Sequence, residues 1–312
     1  MGAKRIGILF GMEDTFPWAL INAINESGGE DVRASALQVS YLKDASPPAY
    51  DLILDRISHE VPFYRTMLKA AIGKGAQVIN NPFWCAADDK YFNNIVALGA
   101  GVTVPKTVVL PHKQHPPNTE AKSYRNLAFV DWDAVCEYLG FPIFLKPAYG
   151  GGWKDVYKCD NRDALFAAYN QTRDLTMMAQ ECIDFTDYYR CYVLGRSRVH
   201  IMRYDPGQPH HLRYVTDAPP ADPQLIERIH KDALALCIAL GYDMNTVEFA
   251  IRDGIPYAID FMNAAPDADL HSVGQRNFEW VVSNMAAVLI DRVRAPRAFE
   301  PTGTWPHILK RD

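Results

Sequence analysis

Apolar positions along the first hundred residues switch between two rhythms. Ile6-Gly7-Ile8-Leu9-Phe10 is a short continuous apolar run of the kind a buried strand shows, while Phe16 to Ile24 spaces its apolar residues as a helix does and stops near Gly28-Gly29. Val32 to Leu42 reads as extended and Asp51-Leu52-Ile53-Leu54 as a short strand. Tyr64 to Ile72 reads as a helix ending at Gly73 and Gly75, and Gln77-Val78-Ile79-Asn80 as a strand stopped by Asn81-Pro82. This alternation predicts a small parallel sheet covered by helices.

The pattern changes after the Pro-rich polar stretch 111–123, which reads as a linker. Phe141 to Pro147 predicts a strand, Gly150-Gly151-Gly152 a loop, Val156-Tyr157-Lys158 a second strand, and Asp163 to Thr172 a helix opened by Asp160 or Asn161. Met177 to Ile183 and Arg190 to Leu194 predict two further strands, the second resuming after a turn at Gly195 toward Tyr204. Asp222 as a cap, Pro223 in the first helical position and Gly241 past the end bracket a helix. Within it Leu225, Ile229, Ala233, Leu236 and Leu240 recur near a 3.6-residue period. Thr246 to Arg252, the turn Asp253-Gly254 and Ile255 to Asn263 read as a β-hairpin, and Asn277 to Val293 as a final amphipathic helix.

Composition narrows the class. A chain of 312 residues predicts two domains or more, and 48% apolar with 22% charged residues excludes a disordered or fibrous protein. No 20-residue apolar run offers a membrane span. A net charge of −5, spread without long runs, leaves no footprint for nucleic acid or an anionic membrane. Met1-Gly2-Ala3-Lys4-Arg5, followed early by Glu13-Asp14, does not read as a signal peptide, so the cytoplasm is expected. Cys85, Cys136, Cys159, Cys182, Cys191 and Cys237 form no C-x-x-C pair and read as free thiols; His210-His211 reads as loop filler.

Three constellations carry chemistry. Lys146-Pro147-Ala148-Tyr149-Gly150-Gly151-Gly152-Trp153-Lys154 lies between two strands; glycines let backbone N–H groups approach an anion, and the lysine adds a point charge. It matches neither established phosphate-loop motif, and a ligand-free glycine-rich hairpin loop fits it as well. The later hairpin carries Glu248, Asp260 and Asn263, oxygen ligands of the kind magnesium takes. A two-residue turn pairs 252 with 255 and 248 with 259, which sends Asp260 to the opposite face. A three-residue loop pairs 248 with 260 on one face. Asn263 is out of phase by one residue and needs a bulge near Phe261-Met262. Asp260 lies among Ala258, Ile259, Phe261 and Met262, apolar company in which a carboxylate needs a cation or strong donors; ordinary edge polar groups are the competing reading. The third is Ala179-Gln180-Glu181-Cys182-Ile183 with Asp187 and Arg190 beyond it, able to meet a base edge and a ribose but unspecific alone.

Taken in order, these pieces resemble the ATP-grasp superfamily from about Ile6 to Leu289, and most closely its branch of glutathione synthetase, D-alanine:D-alanine ligase and the ribosomal-protein glutamate ligase. The matching segments are Val78-Ile79-Asn80-Asn81-Pro82 with Asp89-Lys90, Val104-Pro105-Lys106-Thr107, Phe141 to Pro147, and Gly150 to Trp153. Gln180 to Ile183, Arg190 to Gly195, Val247-Glu248-Phe249 and Ile259 to Asn263 follow. The resemblance implies α/β plus α+β architecture. A parallel-sheet pre-ATP-grasp domain would span 1–115, a small subdomain with the glycine loop 116–185, and a subdomain with the metal hairpin 186–312, clasping ATP between antiparallel sheets.

Carried over by position, the resemblance gives Lys90 and Lys146 to the phosphates and the purine side. Gly150, Gly151, Gly152 and Trp153 would form a lid, Glu181, Cys182 and Ile183 would meet adenine, Gln180 would also bind ATP, and Asp187 would meet the ribose. Glu248, Asp260 and Asn263 would hold one or two Mg²⁺ ions, and Arg190, Arg203 and Arg213 would lie by the γ-phosphate or the acceptor. The chain departs from the family in having acid-x-x-Asn for the last metal pair, a bulky Trp153, and Asp187 three residues before Arg190. The implied activity joins a small-molecule carboxylate to an amine through an acylphosphate, needing positioned charge rather than a protein nucleophile. The alternatives are a kinase on the same scaffold and a non-catalytic nucleotide-binding protein. Asp14 after the first strand, and Arg56 and His59 after the strand at 51–54, are substrate candidates because ligands bind at carboxyl ends of parallel strands. A surface salt bridge and a solvated imidazole are the competing roles for Arg56 and His59. The resemblance brings in no nucleic acid or membrane and is compatible with a homodimer.

Overall fold

The computed structural model describes residues 2–44, 49–83, 89–209, 212–217, 219–263 and 265–309; Cys85 and His210-His211 lie outside the described residues. Its first part runs β1 (Lys4–Leu9), α1 (Phe16–Ser27), β2 (Val32–Ala36), β3 (Leu52–Asp55), α2 (Pro62–Gly73) and β4 (Gln77–Ile79). These strands form the expected parallel sheet, in the order β2-β1-β3-β4. The extended stretch from Val32 is strand only as far as Ala36, where its alternation of buried and exposed residues ends.

The middle part contains α3 (Lys90–Gly99), β5 (Thr107–Leu110), α4 (Trp132–Leu139), β6 (Ile143–Pro147), β7 (Tyr157–Cys159), α5 (Arg162–Gln171) and β8 (Met177–Glu181). Its sheet is antiparallel, ordered β5-β8-β6-β7. Asn161, one of the two cap candidates, opens α5 by accepting from the backbone N–H of Ala164. The last part contains β9 (Asp187–Leu194), β10 (Arg198–Arg203), α6 (Pro223–Leu240), β11 (Met244–Arg252), β12 (Ile255–Asp260), α7 (Leu270–Val273), α8 (Gln275–Arg294) and α9 (Trp305–Ile308). Its sheet, β10-β9-β11-β12, is also antiparallel. The bracketing of α6 is as read from the chain: Asp222 accepts from Gln224 N–H, and Gly241 takes φ +80°.

Two packing facts bear on domain organisation. Thr107 to Leu110 of β5 pair with β8, and Val96 and Ala97 of α3 share a core with Leu236 and Phe249. The chain therefore joins the second and third units well before residue 115, and stretch 111–123 runs inside the middle unit. Proline-rich composition marks an irregular connection and carries no information on which cores it connects. Helix α8 in turn joins its own sheet to the first one, since Met285, Leu289 and Val293 share a core with Tyr192 and Leu194 and with Ile6, Leu20 and Leu54.

The same return tie is made by polar groups. The Asp269 carboxylate, just before α7, accepts from the backbone N–H groups of Asp14, Thr15 and Phe16, while the Thr15 hydroxyl accepts from Leu270 N–H. An acid from the C-terminal unit thus caps α1, whose own Thr15 makes no side-chain cap to its helix.

Candidate functional site

Strand alternation aims side chains from both antiparallel sheets into one cavity of about 540 Å³. On β6, Ile143 and Leu145 enter the middle core, so Phe144 and Lys146 face the cavity; Gln180 on β8 joins them. On β11, Val247, Phe249 and Ile251 are buried under α6, which turns Glu248 and Ala250 toward the cavity. Lys90, the first residue of α3, reaches it because Asp89 caps that helix and Lys90 N–H donates to Ala148 O at 3.0 Å.

The register of the β11–β12 hairpin combines features that the sequence set against each other. The turn is the two-residue one, with Arg252 opposite Ile255, yet Glu248 is opposite Asp260. A bulge between Glu248 and Phe249 on the partner strand reconciles them: Phe249 faces Ala258, so Ile259 is the extra residue. Ala258 and Phe261 point into the core while both Ile259 and Asp260 line the cavity. The expectation that a two-residue turn separates the acids is corrected, because a bulge restores by one residue what the turn shifts. Asp260 is also exposed toward the cavity rather than enclosed by its apolar sequence neighbours.

Electrostatics distinguish the two faces. Desolvation brings the Lys146 ammonium down to about 8, although Asp260 and Glu248 pull it upward; Lys90 adds to the fall. Desolvation pushes the Glu248 carboxyl above its usual range, and Asp260 adds to this while Arg190 and Tyr188 oppose it. Glu248 is held on both oxygens: Tyr188 donates to Oε2 at 2.7 Å, and Arg190 Nη1 lies 3.4 Å from Oε1.

The glycine loop arches over this cavity. Gly150 and Gly152 have φ of +85° and +74°, and Lys90 donates to the Gly150 carbonyl. Trp153, at φ +60° and 65% exposed, lines the cavity as part of the flap and anchors no core. Phe144, Leu175, Ile183 and Phe185 add apolar side chains to the lining. Glu181 lines the cavity too, with its carboxylate bound by Arg252 at 2.7 Å.

The cavity thus gathers Lys90, Lys146, Gly150, Gly151, Gly152, Trp153, Gln180, Glu181, Ile183, Glu248 and Asp260. Arg190 stands behind Glu248. Arg213 donates to the Tyr204 hydroxyl at 3.4 Å, which also accepts from Arg190 at 3.3 Å. Cys182, Asp187, Arg190, Arg203, Arg213 and Asn263 are not among the lining residues. Asp187 and Arg203 pair with each other at 2.8 Å, and the Asn263 backbone N–H donates to Asn245 Oδ1. Of the substrate candidates, Arg56 is 3% exposed, paired with Glu13 and donating to Pro266 O; Asp14 and His59 are exposed, and none of the three lines the cavity. Sequence reading missed Phe144, Leu175, Phe185 and Tyr188. Period two along β6 and β9 was the available signal, since it puts Phe144 beside Lys146 and Tyr188 beside Arg190.

Among the described residues no group of three or more His, Cys, Asp or Glu side chains is arranged to hold a metal. The donors present still fit a hard divalent cation of the Mg²⁺ type, which takes one or two carboxylates and completes its shell with phosphate and water. Glu248 and Asp260, opposite one another with one carboxyl pushed up by burial, are two carboxylates of the kind such an ion takes.

Two antiparallel sheets clasping such a cavity beside a parallel-sheet unit define the ATP-grasp architecture. Solved structures agree. A D-alanine–D-alanine ligase from Bacillus anthracis complexed with ATP superposes with a TM-score of 0.64 at 16% identity, covering 94% of this chain and 98% of that one. A RimK domain ATP-grasp protein from Sphaerobacter thermophilus gives 0.64 at 18% identity, covering 93% and 100%. The chain has the ATP-grasp fold. In sequence it is 26% identical over 199 residues to the D-alanine–D-alanine ligase of Ralstonia nicotianae, 56% of this chain and 60% of that protein. No family model matches it, and it spans 15% to 60% of the length of the curated relatives it matches. No helix among the described residues is long and apolar enough to cross a membrane.

Proposed function

We propose that this protein is an ATP-dependent ligase that activates a small-molecule carboxylate as an acylphosphate and joins it to an amine, working in the cytoplasm. The observation that carries the reading is the opposition of charge across one cavity: Lys90 and Lys146 on one side, Glu248 and Asp260 on the other. The apolar lining residues Phe144, Leu175 and Ile183 suit adenine, and the backbone of the glycine loop suits phosphate.

In this reading Lys146 is charged most readily when triphosphate lies against it, and Lys90 lets the flap move by exchanging the Gly150 carbonyl for a phosphate oxygen. Glu248 and Asp260 would hold Mg²⁺, which neutralises charge on the phosphates when bound. Arg190, with Arg213 beside it at Tyr204, fits the end where the γ-phosphate meets the acid. A carboxylate oxygen attacks the γ-phosphorus as the bond to the β-bridging oxygen breaks and ADP leaves. The amine nitrogen then attacks the acyl carbon, phosphate departs, and the amine gives up a proton. The ligase names of the relatives support a substrate of the amino-acid kind.

The test is ADP release across panels of amino acids and amines. Release that requires an acid and an amine together is the expected result. Release with one substrate alone would instead make the protein a kinase, and binding of ATP without release under any pairing would make it a non-catalytic binder.

A further inference from the structure

Tyr188 lies in the cavity next to the residue from which a sugar-binding acid was expected; Asp187 itself is turned away to Arg203. On β9, Arg190 is directly opposite Glu248, and Tyr188 is opposite Ala250, diagonal to the acid on the same face. The phenol donates to Glu248 Oε2 at 2.7 Å, while Arg190 approaches Oε1. The Tyr188 ring is wedged between Phe185, with centroids 5.2 Å apart, and Tyr204, at 6.1 Å. Its hydroxyl therefore has little freedom to leave the carboxylate. The acid across the ladder, Asp260, is exposed to the cavity.

We infer that Tyr188 is the positioning residue of Glu248: its hydroxyl fixes the carboxylate rotamer so that Glu248 and Asp260 present oxygens to one divalent cation. Partners that orient metal-binding carboxylates are worth about 10–100-fold in metal affinity. A phenol that merely fills space between Phe185 and Tyr204 contributes nothing of this kind. The inference rests on the nucleotide-and-cation reading of the cavity.

The experiment titrates Mn²⁺, read by the electron paramagnetic resonance of the free ion, into protein saturated with a non-hydrolysable ATP analogue. Tyr188→Phe is expected to weaken Mn²⁺ binding by about tenfold. It should also raise the Mg²⁺ needed for half-maximal turnover while changing kcat by less than about threefold. In a Glu248→Gln background the same substitution should have no further effect, because the group it acts through is gone. Unchanged Mn²⁺ affinity in Tyr188→Phe, or a loss that persists beside Glu248→Gln, overturns the inference alone. Absence of Mn²⁺ binding by the unsubstituted protein overturns the cavity reading and this inference with it. If Tyr188→Phe does not fold, Tyr188→Met, which also lacks a donor, carries the same expectations.

Discussion

Across the cavity, the sheet β5-β8-β6-β7 presents Lys146 and the sheet β10-β9-β11-β12 presents Glu248 and Asp260, and the two hold their charges by different means. Glu248 is gripped by Tyr188 and Arg190 from the neighbouring strand of a sheet that is buried under α6 on one face and meets α8 on the other. Lys146 stands on the smaller unit, whose core is built from short strands with α4 and α5, and desolvation lowers its ammonium. On the acid side Glu248 is held in place by Tyr188 and Arg190. The basic side is held in a charge state that desolvation disfavours and that a bound anion would relieve.

The most severe way to break this comparison is to neutralise the acids. Glu248→Gln and Asp260→Asn should each lower turnover by about 10²–10³-fold, read as ADP release with acid and amine present. Parent rates in either variant would remove the cation from the picture.

Neutralising the other side, Lys146→Met, should weaken nucleotide affinity by about 10²-fold in equilibrium titration, roughly 3 kcal/mol. Its stability effect should have the opposite sign. The folded-state value of about 8 lies below the ordinary lysine value of 10.5, so the unfolded chain binds more protons between those limits and stability rises with pH across them. Below pH 8 the cost of the desolvated ammonium is present in full. Lys146→Met should thus raise the melting temperature at pH 7 by about 2–4 °C, and the gain should shrink above pH 8 and be gone above about pH 10.5. A lowered melting temperature at pH 7 would show that the ammonium stabilises the fold.

The same group sharpens the comparison in the unsubstituted protein. Since bound triphosphate favours the ammonium, nucleotide affinity should fall as pH rises through about 8, by at most about tenfold per pH unit, with proton uptake on binding above that value. Calorimetry at pH 8.5 in buffers of differing ionisation enthalpy measures the uptake. The smallest effect is expected away from the cavity. Arg203→Ala breaks the pair with Asp187 and the contact of the guanidinium with the Tyr189 ring, each worth about 0–1 kcal/mol, and should leave nucleotide affinity within about threefold. A larger loss would return Arg203 to the site.

Strand alternation made Lys146 and Glu248 legible as cavity-facing once their strands were recognised, and the helix ends at Asp222 and Gly241 followed from cap chemistry, which narrowed the start of α5 to Asp160 or Asn161. The arginines were not legible in this way. Arg56, Arg190 and Arg203 found Glu13, Glu248 and Asp187 respectively, at separations in sequence from 16 to 58 residues. A side chain that long pairs with whichever acid the packing brings near, and the spacing along the chain does not say which. The units were hidden for a similar reason, since α3 and α8 reveal the cores they serve only through burial against partners distant in sequence.

By itself the chain determined the local elements: runs of period two or 3.6, the caps that end them, and a glycine loop with left-handed residues open to approach. Those depend on neighbours within a few positions, and local sterics and hydrogen bonds settle them. Whether Glu248 meets Asp260 was decided by tertiary structure. One extra residue, Ile259, is accommodated where β12 passes β11, and the placing of a bulge depends on which side chains the adjoining core under α6 accepts.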